Sequence, residues 1–164
     1  MGMVWVARLA SDEQVRKILA KPDDAYDFIT SEGAEKDGSV LDLDKQWHAV
    51  HFLLTGSAGP TSSPLSLILG NFQSVGTDCG YGPAWLAPKL FIKAFDHALS
   101  ALSGADLKAR YDAAAMAREQ VYLADTLLQE GEAARDFILH DIDRMRKFFA
   151  EAALHSLNAF AVIT

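Results

Sequence analysis

The most regular apolar pattern of the chain lies in residues 41–56, which read LDLDKQWHAVHFLLTG. Four of its apolar residues fall at spacings of i, i+4, i+7 and i+11, namely Leu43, Trp47, Val50 and Leu54. That spacing lines one face of an α-helix, so we predict a central helix over residues 42–55 with a buried Trp47. Gly56 follows where helices commonly end in a left-handed residue, which supports the predicted boundary.

Apolar strands are predicted at both ends of the chain. Residues 4–9, VWVARL, are rich in β-branched and aromatic side chains, which is typical of a strand. Residues 159–163, AFAVI, are apolar at every position, which is typical of a strand covered on both faces. We therefore expect the two terminal strands to lie in the same sheet, with the second inside it rather than at its edge.

Helical patterns fill most of the chain between these strands. A capping box of Ser11 and Gln14 predicts a helix over 12–20, and Pro22 suits the first turn of a second helix. Other predicted elements are a strand over 84–87, helices over 88–102 and 132–157, a short helix capped by Asp106, partial helix over 111–131, and loops over 33–39 and 70–83. This order predicts an α+β fold, formed by a single mixed α/β domain over 1–164. Its small sheet contains the N- and C-terminal strands and packs with several helices, and such an arrangement can have three layers.

The longest predicted helix, over 132–157, has one apolar face. Ile142 and Phe149 lie on that face and are expected to be buried, whereas Asp143 and Lys147 lie on the opposite face. We therefore expect this helix to form part of the core.

The composition of the 164 residues indicates an ordinary globular protein with an acidic surface. Lys and Arg number 15 and Asp and Glu number 22, which gives a formal net charge of −7. An acidic surface disfavours nucleic acid and anionic membranes as partners and would attract a basic protein partner. No run of 18 apolar residues is present, residues 1–9 do not resemble a signal peptide, and Cys79 is the only cysteine, so we expect a soluble cytoplasmic protein.

Asp44, His48 and His51 lie at i, i+4 and i+7, which would place them on one ridge of the predicted helix. Two imidazoles and a carboxylate in this pattern can bind zinc or iron, and metal-assisted hydrolysis would then be the predicted activity. The same residues can instead form a structural group whose ring nitrogens bond to the backbone or to Asp44. We favour the structural interpretation and expect no bound metal or cofactor, because a metal site usually draws ligands from a second segment as well.

Residues 78–83, DCGYGP, form a second candidate site. Two glycines flank Tyr81 and allow an unusual backbone that could present its ring and the Asp78 carboxylate to a small ligand. The alternative is a tight connection whose tyrosine packs inward. We also consider a shared polar site, in which Tyr81 or Asp78 approaches His48 or His51.

Several motifs together resemble the YfbM-like family of bacterial proteins. The longest is the stretch at 41–56, and the others are Met1-Gly2-Met3, Pro64-Leu65-Ser66, Gly80-Tyr81-Gly82-Pro83-Ala84, Arg110-Tyr111-Asp112 and Ala115-Met116. The resemblance extends along nearly the whole chain, although Lys89-Leu90-Phe91 and residues 118–131 depart from it. It implies a single mixed α/β domain in a soluble bacterial protein. The resemblance implies no particular activity, because no activity is established for this family. No catalytic residue is therefore assigned from it.

Three functions are compatible with these patterns. We favour a non-catalytic binding module for a basic protein partner, of which an immunity-type inhibitor of a toxin is one version. The alternatives are a metal-assisted hydrolase that uses Asp44, His48 and His51, and a small-ligand sensor that uses the loop around Tyr81.

Overall fold

Five antiparallel strands form one sheet in the order β2-β1-β5-β4-β3. The strands are β1 (Trp5–Ala10), β2 (Val40–Asp42), β3 (Gln73–Asp78), β4 (Pro83–Ala87) and β5 (Asn158–Ile163). The computed structural model describes residues 2–164, apart from the side chain of Glu35. Within that part of the chain, eight α-helices surround the sheet.

The two terminal strands pair with each other, and β5 lies at the centre of the sheet. The register runs from Trp5 opposite Ile163 to Ala10 opposite Asn158. All six residues of β5 are buried, because helices cover both faces of the sheet at this strand. The prediction that the apolar C-terminal segment lies inside the sheet, beside the N-terminal strand, is therefore confirmed.

The helices form two layers on opposite faces of the sheet. They are α1 (Asp12–Ala20), α2 (Ala25–Thr30), α3 (Trp47–Thr55), α4 (Lys89–Ser100), α5 (Gly104–Arg110), α6 (Ala113–Arg118), α7 (Ala124–Glu130) and α8 (Glu132–Leu154). Ile18 of α1 and Ile29 of α2 pack with Phe160 in one apolar cluster. The remaining six helices contribute to the larger cluster on the opposite face, which includes Trp5 and Ala161. The fold is thus α+β with three layers, as the order of predicted elements indicated.

Several predicted contacts of the helices are confirmed. The hydroxyl oxygen of Ser11 accepts the Gln14 N–H at 3.2 Å, while the Gln14 side chain accepts the Ser11 N–H at 2.8 Å. This capping box begins α1 at Asp12, as predicted. In α8, Ile142 and Phe149 are fully buried, whereas Asp143 and Lys147 are exposed.

Within residues 2–164, no helix combines the length and apolar character needed to cross a lipid bilayer.

The helix predicted over 42–55 begins five residues later than expected. Residues 40–42 instead form β2 beside β1, and residues 44–46 form a 3₁₀ turn. Asp44 has a φ of 46°, a left-handed conformation that a continuous α-helix does not tolerate. The stripe of apolar residues is nevertheless buried, with Trp47 only 4% exposed, and the helix ends at Gly56 in the left-handed conformation.

Three other boundaries differ from the predictions. The loop predicted over 70–83 contains β3, an edge strand in which five of six residues are exposed, so the apolar alternation that predicts a strand is missing. Asp106 is not the cap of α5: Ser103 is the N-cap, and the Asp106 carboxylate accepts the Ser103 N–H as its capping-box partner. The long helix α8 ends at Leu154 because Ser156, with a φ of 54°, turns the chain into β5.

Candidate functional site

Helix α3 carries both candidate histidines and lies against the start of the chain. Its sequence is apolar on nearly every side, so that seven of its nine residues are buried. The Trp47 indole Nε1–H donates to the Met3 carbonyl at 3.1 Å. The indole also stacks on the His48 ring, with 4.8 Å between the ring centroids. The first turn of α3 is therefore tied to the N-terminal segment.

His48 uses both ring nitrogens to bind backbone groups from two distant segments. Its Nδ1 accepts the Tyr122 N–H at 2.9 Å, and its Nε2–H donates to the Ala58 carbonyl at 2.8 Å. An amide can only donate and a carbonyl can only accept, so these bonds specify the neutral ring with the hydrogen on Nε2. The ring joins α3 to the loop that follows it and to the connection between α6 and α7.

His51 lies one turn further along α3 and is fully buried. Its Nε2 donates to the Gly59 carbonyl at 2.9 Å, next to the carbonyl that His48 holds. Its Nδ1 is buried and has no hydrogen-bond partner in the described part of the chain. The hydroxyl of Thr55 donates to the His51 carbonyl at 2.8 Å and so fixes the last turn of the helix.

Burial lowers the pKa of both imidazoles. For His48 the loss of hydration outweighs the bond to Ala58, which acts in the opposite direction. For His51 burial also dominates, and the neighbouring His48 ring lowers the pKa further. Both shifts favour the neutral ring, and for His48 the bonds to Tyr122 and Ala58 require it.

Asp44 does not join the histidines in a metal-binding group. It lies in the 3₁₀ turn before α3, it is exposed, and its N–H donates to the Asp42 carboxylate at 2.6 Å. Among the described side chains, which leave out Glu35, no group of three or more His, Cys, Asp or Glu residues is arranged to hold a metal ion. Moreover, neither nitrogen of His48 is free to bind a metal or to exchange a proton with a substrate. This geometry favours the structural interpretation of the histidines and offers no support for the hydrolase.

Asp78 is the last residue of β3, and Tyr81 lies in the turn between β3 and β4. One Asp78 oxygen accepts the N–H groups of Gly80 at 2.7 Å and Gly82 at 3.3 Å, so the carboxylate organises the turn. Cys79 packs against the α1–α2 cluster, whereas the residues of α3 belong to the opposite cluster. Asp78 and Cys79 therefore lie on the α2 side of the sheet, away from the histidines, and among the described residues no contact joins Tyr81 to either histidine.

The turn instead borders a cavity beside α2. Asp78 and Cys79 line this cavity of about 460 Å³ together with Asp23, Tyr26 and Asp27. Tyr81 is 50% exposed and does not pack inward. The inward-packed alternative for this tyrosine is thus wrong, since the turn projects its ring towards solvent.

Tyr122 is the residue of this site that the sequence did not indicate. Its ring stacks on Trp47 with 6.3 Å between centroids, and its hydroxyl accepts the Met3 N–H at 3.2 Å. Its main contact with His48 is made by a backbone N–H, which has no side-chain signature. The two residues are also 74 positions apart, beyond the reach of any local pattern.

Comparisons with known proteins agree with this fold. The chain is similar over 98% of its length to the protein of unknown function YfbM from Escherichia coli, whose crystal structure is solved. The two share 21% sequence identity and a TM-score of 0.74, and the similarity covers 99% of the YfbM chain. No curated protein matches the sequence. The family model described as "Domain of unknown function (DUF1877)" matches residues 1–162. The chain therefore belongs to the DUF1877 family, which confirms the resemblance to YfbM-like proteins seen in its sequence.

Proposed function

We propose that this protein is a non-catalytic binding module for a basic protein partner. An immunity-type inhibitor, which covers the functional surface of a basic toxin, is one form that such a module can take. The observation that carries the proposal is the excess of carboxylates over basic groups, 22 against 15. Such an excess attracts a basic partner over a distance of about 8–10 Å at ordinary ionic strength.

Part of this negative charge is not neutralised within the protein. Four exposed carboxylates lie on the α2 side of the sheet, namely Asp23, Asp24, Asp27 and Asp78. None of the ion pairs within the described residues includes them. Lys or Arg side chains of a partner could therefore pair with these groups without displacing an internal cation.

The hydrogen bonds of His48 and the burial of His51 support the non-catalytic part of the proposal. General acid–base catalysis requires a group with an exchangeable proton within reach of substrate. The bonds of His48 to Tyr122 and Ala58 engage both of its nitrogens, and His51 is fully buried. We infer that these rings stabilise the fold rather than perform chemistry.

The proposal is tested by capturing partners with the whole protein from a lysate of the host organism and then measuring each purified pair. The expected partner carries net positive charge, and its affinity falls as salt is raised, because charged contacts are screened. A triple charge reversal, Asp23→Lys with Asp24→Lys and Asp27→Lys, should weaken binding by roughly tenfold or more.

A matched variant controls for the change in net charge. Glu119→Lys with Glu130→Lys and Asp143→Lys also reverses three exposed carboxylates that form no ion pair among the described residues. It should weaken binding much less than the first triple variant. Partners that are acidic, or affinities that do not respond to salt, would overturn the proposal. If the two variants lost the same affinity, the conclusion that the partner is basic would stand, but the α2 side would no longer be its proposed contact surface.

A further inference from the structure

We propose that His48 is a proton-operated latch, which releases the connection between α6 and α7 when its ring becomes charged while the rest of the fold stays intact. The connection is residues 119–123, between Arg118 at the end of α6 and Ala124 at the start of α7. Such a latch is independent of the proposed binding function.

The two bonds of the His48 ring respond differently to a proton. Nε2 carries a hydrogen in both charge states, so its bond to the Ala58 carbonyl at 2.8 Å is kept. Nδ1 accepts the Tyr122 N–H at 2.9 Å only while it is unprotonated. A proton on Nδ1 would face the amide hydrogen, and two donors cannot bond. Protonation therefore breaks the contact with the connection but not the contact with the loop.

The connection is held in a backbone conformation that favours release. Gln120 has a φ of 57° and Leu123 a φ of 62°, and both are in the left-handed region that side chains other than glycine rarely adopt. Tyr122 lies between them and supplies the amide that His48 holds. Gln120 and Val121 donate to the carbonyls of Ala117 and Met116 at the end of α6, so these bonds lie within the connection and its helix, whereas the Tyr122 N–H ties the connection to α3. Once the Tyr122 bond is lost, the strained connection can move away from α3.

The charged groups around the ring offer no compensation for a positive charge. From α3 itself the nearest titratable group is His51, whose proximity disfavours a second charge. The following loop, residues 57–60, has no ionisable side chain, and the connection at 119–123 carries the exposed Glu119 and the Tyr122 phenol. Glu119 and the exposed Asp44 before α3 do not act on the ring, because only burial and the bond to Ala58 affect the pKa of His48. Lys45, in the turn before α3, adds a cation near the Tyr122 hydroxyl. Within 2–164 no ion pair includes His48, so a charged ring gains most by opening to water.

Opening would change the surface of the protein in a defined place. Val121 is 3% exposed, and Tyr122 covers one face of the Trp47 indole. Release of the connection would uncover the Tyr122 ring, the Val121 side chain and that indole face. The acid form would thus display apolar surface that is hidden in the neutral form.

Amide hydrogen exchange on the whole protein tests the latch between pH 7.5 and pH 5. The amides of Val121 and Tyr122 should lose protection by about tenfold for each pH unit below 6.5, the ordinary histidine pKa that the released His48 ring recovers. Amides of Ile142 and Phe149 in α8 should keep their protection. Equal loss in both segments would indicate global unfolding and overturn the proposal, as would unchanged protection at Val121 and Tyr122.

Two substitutions separate the latch from a general effect of acid. In His48→Asn the amide oxygen can accept the Tyr122 N–H but does not titrate, so the pH effect on the Val121 and Tyr122 amides should disappear. His155→Asn removes an exposed histidine and should leave the effect unchanged. Should His48→Asn fail to fold, NMR titration of the wild-type His48 ring provides the test. Its midpoint must coincide with that of the Tyr122 amide signal, and separate midpoints would overturn the proposal.

Discussion

The backbone of Gly76 passes so close to Pro22 that a Cβ atom on Gly76 would lie 2.6 Å from the Pro22 carbonyl oxygen. Gly76 belongs to the edge strand β3, and Pro22 begins the 3₁₀ turn between α1 and α2. The strand pairing with β4 is irregular between Val75 and Asp78, and Gly76 has a φ of 79° at this irregularity. The close approach joins the sheet edge to the α1–α2 layer.

We expect Gly76→Ala to lower the free energy of unfolding for two reasons, backbone strain and a clash with the Pro22 carbonyl. Gly38 has a similar φ of 74°, but no atom lies within 4 Å of the position that an added methyl group would take, so Gly38→Ala reports the strain alone. The difference between the two variants should be about 1–3 kcal/mol, the usual cost of overpacking. Urea unfolding measures both; equal losses would show that the Pro22 contact is easily relieved.

Trp47→Ala should lower the free energy of unfolding by roughly 3–5 kcal/mol, because it removes a large buried side chain. The indole is 4% exposed, stacks on Tyr122 and donates to the Met3 carbonyl. Trp47→Phe keeps an aromatic ring and loses only part of the packing and the hydrogen bond, so its cost should be smaller. The urea midpoints of the two variants provide the measurement, and an alanine variant as stable as the wild type would contradict the assigned core.

Asp141 should make the stability of this protein depend on pH. Burial raises the pKa of its carboxyl above the ordinary value of 3.8, although the Arg144 guanidinium, 2.8 Å away, partly offsets this. The folded state therefore holds the proton more tightly than the unfolded state. The stabilisation that this proton gives is complete below pH 3.8 and is lost as the pH rises through the raised pKa of the folded protein.

Asp141→Asn removes this titration, so the stability of the variant relative to wild type should increase as the pH rises above about 4. Unfolding free energies from denaturant melts at several pH values provide the test. Asp143→Asn, which changes an exposed carboxylate on the same helix, serves as the control. Parallel profiles for Asp141→Asn and wild type would show that the buried carboxyl does not titrate differently on folding.

We expect the purified protein to carry no stoichiometric metal, because His48 uses both ring nitrogens and Asp44 lies outside α3. Elemental analysis by mass spectrometry checks this directly. The contrary result would be one zinc or iron per chain that is lost in His48→Ala and retained in His155→Ala. That outcome would restore the hydrolase interpretation.

Features that depend on neighbouring residues could be predicted from the amino-acid sequence. The capping box of Ser11 and Gln14 spans three residues, and the burial of Ile142 and Phe149 follows from helical periodicity. The uniformly apolar segment at 159–163 indicated a strand covered on both faces, as it is in β5. The motif at 41–56 and the shorter family motifs also indicated the family. A long match between sequences can be recognised without knowing which residues are in contact.

The start of α3, the position of β3 and the partners of His48 depend instead on how the layers pack. Asp44 has a left-handed backbone next to the pair of strands β1 and β2. The helical spacing of the apolar residues over 43–54 gave no indication of this strand pair. The edge strand β3 faces solvent at five of six positions, so it lacks the alternation that marks half-buried strands. The partners of His48 are a backbone N–H and a backbone carbonyl, groups that every residue except proline possesses. Residue identity does not encode such contacts, and they are fixed only when the packed layers bring distant segments together.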